Sequence, residues 1–287
     1  MSDATDGGGI TDAPASAVSD LQVTLVQADT IWHNAAANRE RIARWLGERV
    51  AIQPRPDLIV LPETFSTGFS NDAIATAESM EGETVSWMRG QARAHDAAIT
   101  GSVQIRVGDA VHNRLLWATP DGVVRHYDKR HLFRMAREQD WYAAGRERLV
   151  VEFRGWRICP LVCYDLRFPV FSRNGVDSSQ AGALDYDLLL YVANWPGVRH
   201  DAWRTLLRAR AIENLCYVVG VNRTGSDGNA IGHLGGSAVL DFLGQPAAEC
   251  DAAPQVMDAT ISHDRLREYR RRFPAHLDAD PFALVVA

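Results

Sequence analysis

The chain has no basic run longer than three residues, few cysteines and no apolar run long enough to span a bilayer. Its 30 lysines and arginines stand against 36 aspartates and glutamates, a formal net charge of −6. Nucleic acids and anionic membranes are recognised through clustered positive charge, so neither is an expected partner. Four cysteines in 287 residues are too few for a disulfide scaffold, and they lack metal-ribbon spacing. Of these, Cys159, Cys216 and Cys250 read as small buried hydrophobes. There is no HExxH zinc motif, and His131, His200 and His233 lack ligand spacing, which leaves them structural roles. The glycine-rich stretch GSDGNAIGHLGG (225–236) has neither a P-loop lysine nor a dinucleotide fingerprint, and reads as a turn-rich loop. Residues 1–20 carry no basic n-region and no apolar h-region; with Gly7–Gly9 and two early aspartates they read as a disordered tail. A cytoplasmic location is the default that follows.

What the chain does have is an ordinary globular composition, 46% apolar and 23% charged. Short segments rich in Val, Ile and Leu recur from end to end and predict strands at 21–27, 57–61, 98–104, 115–119, 123–127, 149–153, 157–163, 188–193, 217–222, 237–242 and 256–260. The run LLLYV shows almost no alternation, as expected of a strand covered on both faces. Helical periodicity marks 34–50, 83–95 and 201–214. No repeat and no Pro/Ser linker interrupts the chain after residue 20. One α/β domain over 21–287 is the economical reading, with a C-terminal tail from about 263, where HDRLREYRRRFPAHLDADPF is basic and then broken by proline and reads as a short helix followed by an extended tail. On the third predicted helix, Arg208, Arg210 and Glu213 read as a solvated or interface face.

Three strands each end on a reactive side chain. DLIVLPE delivers Glu63, VRHYDK delivers Lys129 and RICPLVC delivers Cys163. Strand ends at one rim of a sheet are where open α/β proteins hold ligands. The three residue types suit amide hydrolysis. A thiolate is the nucleophile, a carboxylate takes its proton, and an ammonium answers the charge on the tetrahedral oxygen. The backbone N–H of Tyr164, just after the cysteine, would be a second donor. Spacing alone leaves the plainer readings open: a surface carboxylate, a solvated lysine and a core cysteine.

LPETF around Glu63, YDKRHLF around Lys129 and CYDLRFP around Cys163 resemble, in order, the three signature blocks of the nitrilase superfamily of carbon–nitrogen hydrolases. ANWP at Asn194, WRTLLRARAIEN after it, VVGVNRTG at Val218 and GGSAVLDFLG at Gly235 extend the resemblance to roughly residues 20–265. The resemblance implies a four-layer αββα sandwich, with Glu63 as general base, Lys129 as transition-state stabiliser and Cys163 as nucleophile. It also implies a second glutamate between lysine and cysteine. Glu138 fits that place, with Glu147 and Glu152 as competitors. KRHLFRMA and LPETFSTGF are most similar to the omega-amidase branch, which hydrolyses the terminal amide of 2-oxo dicarboxylate monoamides such as 2-oxoglutaramate; an aliphatic amidase, nitrilase or N-carbamoyl hydrolase is the alternative. Such a substrate carries a carboxylate far from the amide, which asks for a guanidinium. Arg167, Arg173 and Arg199 are the candidates, with Arg173 favoured, and Phe69, Tyr164 and Trp195 are the expected apolar walls. Asn194 and Trp195 should line the same rim. The Cys-Glu-Lys chemistry is complete without a metal or cofactor, so none is implied. Family habit implies a homodimer or larger homo-oligomer.

Overall fold

The computed structural model describes residues 18–50, 55–177, 183–280 and 282–283. Its strands are β1 (Leu21–Gln27), β2 (Leu58–Val60), β3 (Ala98–Val107), β4 (Ala110–Ala118), β5 (Val124–Asp128), β6 (Val151–Phe153), β7 (Trp156–Val162), β8 (Val176–Asp177), β9 (Ala183–Leu184), β10 (Leu188–Ala193), β11 (Tyr217–Asn222), β12 (Thr224–Ser226), β13 (Gly232–Leu234), β14 (Ala238–Leu240), β15 (Pro246–Glu249) and β16 (Gln255–Ile261). Its helices are α1 (Ala35–Val50), α2 (Glu83–His95), α3 (Pro169–Ser172), α4 (His200–Asn214) and α5 (His263–Arg272).

Two six-stranded mixed sheets form, ordered β16-β1-β2-β3-β4-β5 and β15-β14-β11-β10-β7-β6. Two-residue alternation assigns the faces. In the first sheet Leu21, Val23, Leu25, Leu115 and Trp117 join a core shared with the second sheet. Their neighbours Val26, Ile99, Val103, Ile105, Leu116 and Ala118 pack instead with Ile42 and Leu46 of α1 and Val85, Met88 and Ala92 of α2. On the far side of the second sheet α4 buries Trp203, Leu207 and Ala211. It approaches closely because β11 carries Gly220, where a Cβ would stand 2.5 Å from Leu207 Cδ1. Every residue of β10 is buried, the signature of a strand covered on both faces. The expected four-layer αββα sandwich is therefore the observed one.

Both ends of the expected domain need adjustment. Residues 1–17 of the expected tail lie outside the described residues, whereas Val18 packs against the core and the carbonyl of Ser19 accepts a hydrogen bond from Trp156 Nε1 at 2.9 Å. Residues 263–272 form the short helix expected there, α5, but it is docked on the core rather than part of a free tail. Leu266 is buried in the shared core, Tyr269 stacks on Phe242, and Arg270 reaches Asp187 at 2.6 Å. The basic content hid the docking, because the apolar face of this helix is only Leu266 and Tyr269. Arg210 is another correction. It is buried rather than solvated, donating to the carbonyl of Leu166 at 2.6 Å and to Glu213 at 2.8 Å.

Parallel pairing sets up the site. β2 runs parallel to β1 and β3, and β10 runs parallel to β7 and β11. The residues that follow β2, β5, β7 and β10 accordingly meet at one rim.

Candidate active site

Glu63 follows β2 on a turn that β3 holds from beneath. Gly101 permits this, since a Cβ there would lie 2.8 Å from the Cβ of Leu61. The next residue of β3 fixes the turn, with Ser102 Oγ accepting from the backbone N–H of Thr64 at 2.8 Å. Thr64 has φ +40, a left-handed conformation costly for a β-branched residue. Cys163, directly after β7, has φ +46. Two non-glycine residues in this strained region, one beside the carboxylate and one carrying the thiol, are what surrounding structure must over-determine.

The carboxylate of Glu63 is almost fully buried. Its Oε1 accepts from Lys129 Nζ at 2.9 Å and from Asn113 Nδ2 at 2.8 Å, and its Oε2 accepts from the backbone N–H of Asn194 at 2.7 Å. Asn194 follows β10 and also donates Nδ2 to the carbonyl of Glu63 at 2.6 Å. Lys129, directly after β5, donates to both oxygens of Glu138 at 3.1 and 3.0 Å. Glu138 is itself fixed by the backbone N–H of Phe133 at 2.5 Å. Its competitors Glu147 and Glu152 make no such contact: Glu152 sits on β6, and neither lines the cavity. Asn113 went unnoticed in the sequence, although it is an amide in a strand of otherwise apolar inward residues. Its carbonyl pairs with the N–H of Lys129 at 3.0 Å, which places its side chain beside both carboxylates.

Charge explains the protonation states. Burial alone would lower the Lys129 pKa, but the carboxylates of Glu138 and Glu63 outweigh it and hold the ammonium well above its usual range. Burial would raise Glu63; the Lys129 charge, its hydrogen bond and the Asn194 N–H outweigh that, and Glu63 ends below the ordinary carboxylate range. Burial and the Glu63 charge push the Cys163 thiol well above its usual value, with Lys129 opposing. Two carboxylates and one ammonium carry a net −1, and an added thiolate would make −2. Passing the thiol proton to Glu63 leaves the total unchanged, so a base inside the cluster is the inexpensive route to a thiolate.

Cys163, Glu63 and Lys129 open onto a narrow cavity of about 90 Å³. Phe69, Tyr164 and Trp195 line it as expected, with Lys129 Nζ 5.3 Å from the Phe69 ring centre. Phe133 also lines it, and so do Asp227, Ile231 and His233 of the glycine-rich stretch, where β12 and β13 form a hairpin. His233 thus lines the site. Burial first, then the Arg223 charge, lowers its pKa to about 4, so its imidazole is neutral. Arg173 is the chief correction. It does not line the cavity. The one-turn α3 ends at Ser172, and the carbonyl of Arg173 is held by Arg148 Nη1 at 2.6 Å while Asn174 is buried against Asn214. Arg167 and Arg199 do line it. The Arg167 guanidinium lies 4.9 Å from the Trp195 ring centre, and that of Arg199 lies 5.6 Å from Phe133. Among the described residues neither is ion-paired with a carboxylate. Among the described residues, a wider groove of about 1360 Å³ beside α5 is lined by no cysteine, serine or lysine.

The two-sheet sandwich and the groups at its rim mark the molecule as a hydrolase of carbon–nitrogen bonds outside peptides. Residues 22–271 match the family described as Carbon-nitrogen hydrolase, and the chain belongs to that family. Its relatives include the omega-amidase YafV of Yersinia enterocolitica, 48% identical over 93% of this chain and 100% of that protein. The 2-oxoglutaramate amidase of Bacillus subtilis is 34% identical over 77% of this chain and 84% of its own. Among solved structures, XC1258 from Xanthomonas campestris, a CN-hydrolase superfamily protein with an arsenic adduct in its active site, is 58% identical. It superposes with a TM-score of 0.90 over 93% of this chain and 100% of that one.

Proposed function

We propose that the protein is an omega-amidase, hydrolysing the terminal amide of a small 2-oxo dicarboxylate monoamide and releasing ammonia. The observation that carries this reading is that one narrow cavity joins the buried Glu63–Lys129–Glu138 cluster and the Cys163 thiol to two arginines without carboxylate partners. The omega-amidase and 2-oxoglutaramate amidase among its relatives support it. Arg199, with Arg167 beside it, anchors the substrate carboxylate through planar, bidentate hydrogen bonding.

In this mechanism Cys163 Sγ attacks the amide carbon while its proton passes to Glu63. The carbonyl oxygen takes the electron pair and is met by the Lys129 ammonium and the backbone N–H of Tyr164. Collapse expels ammonia, which carries the proton returned by Glu63, and leaves a thioester on Cys163. Glu63 then takes a proton from water, the hydroxide attacks the thioester, and the acid product departs as the thiol is restored. Glu138 holds Lys129 between the two carboxylates throughout.

The reading extends to a reducing, cytoplasmic setting, which four free cysteines suit. It extends also to a homodimer. Val170 on α3, Ile212 on α4 and Leu243 are exposed large apolar residues, and the turn at Gly244 lies against Ile212.

Ammonia release from 2-oxoglutaramate, beside glutamine and a simple aliphatic nitrile, tests the proposal. The oxo amide is expected to be the fastest substrate, Cys163→Ala to lose more than about 10⁴-fold in kcat, and Arg199→Met to raise KM with little change in kcat. Nitrile conversion faster than oxo amide hydrolysis would overturn the substrate, and full activity in Cys163→Ala would overturn the nucleophile.

A further inference from the structure

Asp165 lies two residues beyond Cys163, is completely buried, and among the described residues is ion-paired with no lysine or arginine. Its carboxylate is satisfied by four hydrogen bonds. Oδ2 accepts from the backbone N–H of Val162 at 2.9 Å and from the Tyr127 hydroxyl at 2.8 Å. Oδ1 accepts from the backbone N–H of His131 at 3.0 Å and from His131 Nδ1 at 2.7 Å. A carboxylate only accepts, so Nδ1 of His131 carries the proton. The imidazole ring is clamped in turn, stacked on Phe168 at 3.8 Å with a 6° interplanar angle and met edge-on by Phe171. The Tyr127 hydroxyl accepts from the backbone N–H of Arg130 at 3.0 Å.

The arrangement is symmetrical about the two reactive residues. Tyr127 and His131 flank Lys129, while Val162 and Asp165 flank Cys163 in its strained conformation. One buried carboxylate therefore ties the lysine loop to the nucleophile turn. None of Tyr127, His131 and Asp165 lines the cavity, so none touches substrate.

We propose that His131, Asp165 and Tyr127 form a positioning clasp that holds the Lys129 ammonium in register with the Cys163 thiol during amide hydrolysis. The inference rests on the roles proposed above for Cys163 and Lys129 but not on the identity of the amide. A positioned group displaced by about 1 Å loses on the order of 10²-fold in rate. A loosened clasp thus lowers kcat rather than substrate binding, and it moves Lys129 away from the thiol.

The test compares His131→Phe, which keeps the stacked ring and removes the donor, with His131→Asn, which restores a donor without the ring. Turnover of 2-oxoglutaramate and the pH profile of Cys163 alkylation by iodoacetamide are measured, with Cys163→Ala as the background. His131→Phe is expected to lose about 10–10² in kcat with KM within about twofold, and its alkylation profile to move to higher pH by about one unit. His131→Asn is expected to recover most of both. Wild-type kcat and an unmoved alkylation profile in a folded His131→Phe would overturn the clasp, as would His131→Asn no better than His131→Phe. Should His131→Phe fail to fold, Tyr127→Phe removes one donor from the same carboxylate and is read in the same way. If wild type does not turn over the oxo amide, the substrate reading fails while the alkylation profiles still decide this proposal.

Discussion

Two buried ion clusters occupy opposite ends of the same parallel strands. At the carboxyl ends of β2, β7 and β10, Glu63 and Glu138 share the single ammonium of Lys129. At the amino ends of β7 and β10, Asp187 alone is shared by two guanidiniums, accepting from Arg270 Nη1 at 2.6 Å and from the backbone N–H of Arg157 at 3.1 Å, with the Arg157 guanidinium alongside. Arg270 further donates to the carbonyls of Leu215 and Tyr186, each at 2.8 Å. The ingredients are alike but the surplus differs. A spare carboxylate beside a thiol is a proton acceptor in waiting. A spare guanidinium that spends its donors on backbone carbonyls joins α5 to the sheet.

Replacing the cation of the first cluster gives the largest effect. Lys129→Met keeps the length of the side chain and removes the charge that answers the oxyanion, so kcat is expected to fall about 10²–10³-fold. It also changes a pH dependence. Burial already holds Glu138 above the ordinary carboxylate range, whereas Glu63 lies below it; without the ammonium, burial raises the folded pKa of both above the unfolded values. The folded state then binds more protons, and stability falls as pH rises from the ordinary carboxylate range upward. Denaturant midpoints measured from pH 5 to pH 8 should decline in the variant. A flat profile would mean that the two carboxylates are not buried together as described.

The second cluster should respond in stability alone. Asp187→Asn leaves Arg157 and Arg270 without their counter-ion, at an expected cost of roughly 2–3 kcal/mol. That lies below the range for fully buried pairs because Arg157 stays 27% exposed. Burial would raise the Asp187 pKa, but Arg270 and Arg157 hold it below the usual range. A depressed folded pKa stabilises above the unfolded value and is lost as pH falls through the folded one. Wild type and variant should therefore converge in strong acid, with kcat at neutral pH equal within about twofold. A large loss of kcat in Asp187→Asn would erase the distinction between the two ends.

The catalytic end was far more legible than the structural one, and the reason is geometric. Reactive residues at strand ends sit in short contiguous blocks, LPETF, YDKRHLF and CYDLRFP, whose local sequence already encodes the turn. The strands themselves were readable because their faces alternate or are wholly apolar. Missed features depend on long-range pairing. Asn113 acquires meaning only when β4 lies opposite Lys129, and Arg210 is buried only once Leu166 presents a carbonyl to it. α5 reads as an unattached basic helix until Asp187 and Phe242 arrive beneath it from elsewhere in the chain. The favoured Arg173 failed for a local reason, since the proline-started α3 ends after one turn and Arg148 holds the backbone beyond it.

The smallest expected effect gives the sharpest comparison. Asn113 donates to Glu63 Oε1 at 2.8 Å, while its own Oδ1 is buried with no hydrogen-bond partner among the described residues. Asn113→Leu removes a hydrogen bond to a charged carboxylate, worth about 1.5–3 kcal/mol, and with it an unsatisfied acceptor whose burial costs about 1–3 kcal/mol. The two terms oppose each other, so the denaturant midpoint should barely move. Catalysis should not be neutral in the same way. A donor to the ionised form lowers a carboxyl pKa, so its loss raises that of Glu63, and the acid limb of kcat/KM should shift to higher pH by up to about one unit. At neutral pH the base is still ionised and kcat should stay within about threefold. The measurement is kcat/KM against pH for wild type and variant, beside their unfolding midpoints. A shifted limb at constant stability would place Asn113 with the cluster tuned for proton transfer. A fixed limb with a clear loss of stability would place it with the Asp187 kind, where polar groups hold the sheets together and leave the chemistry alone.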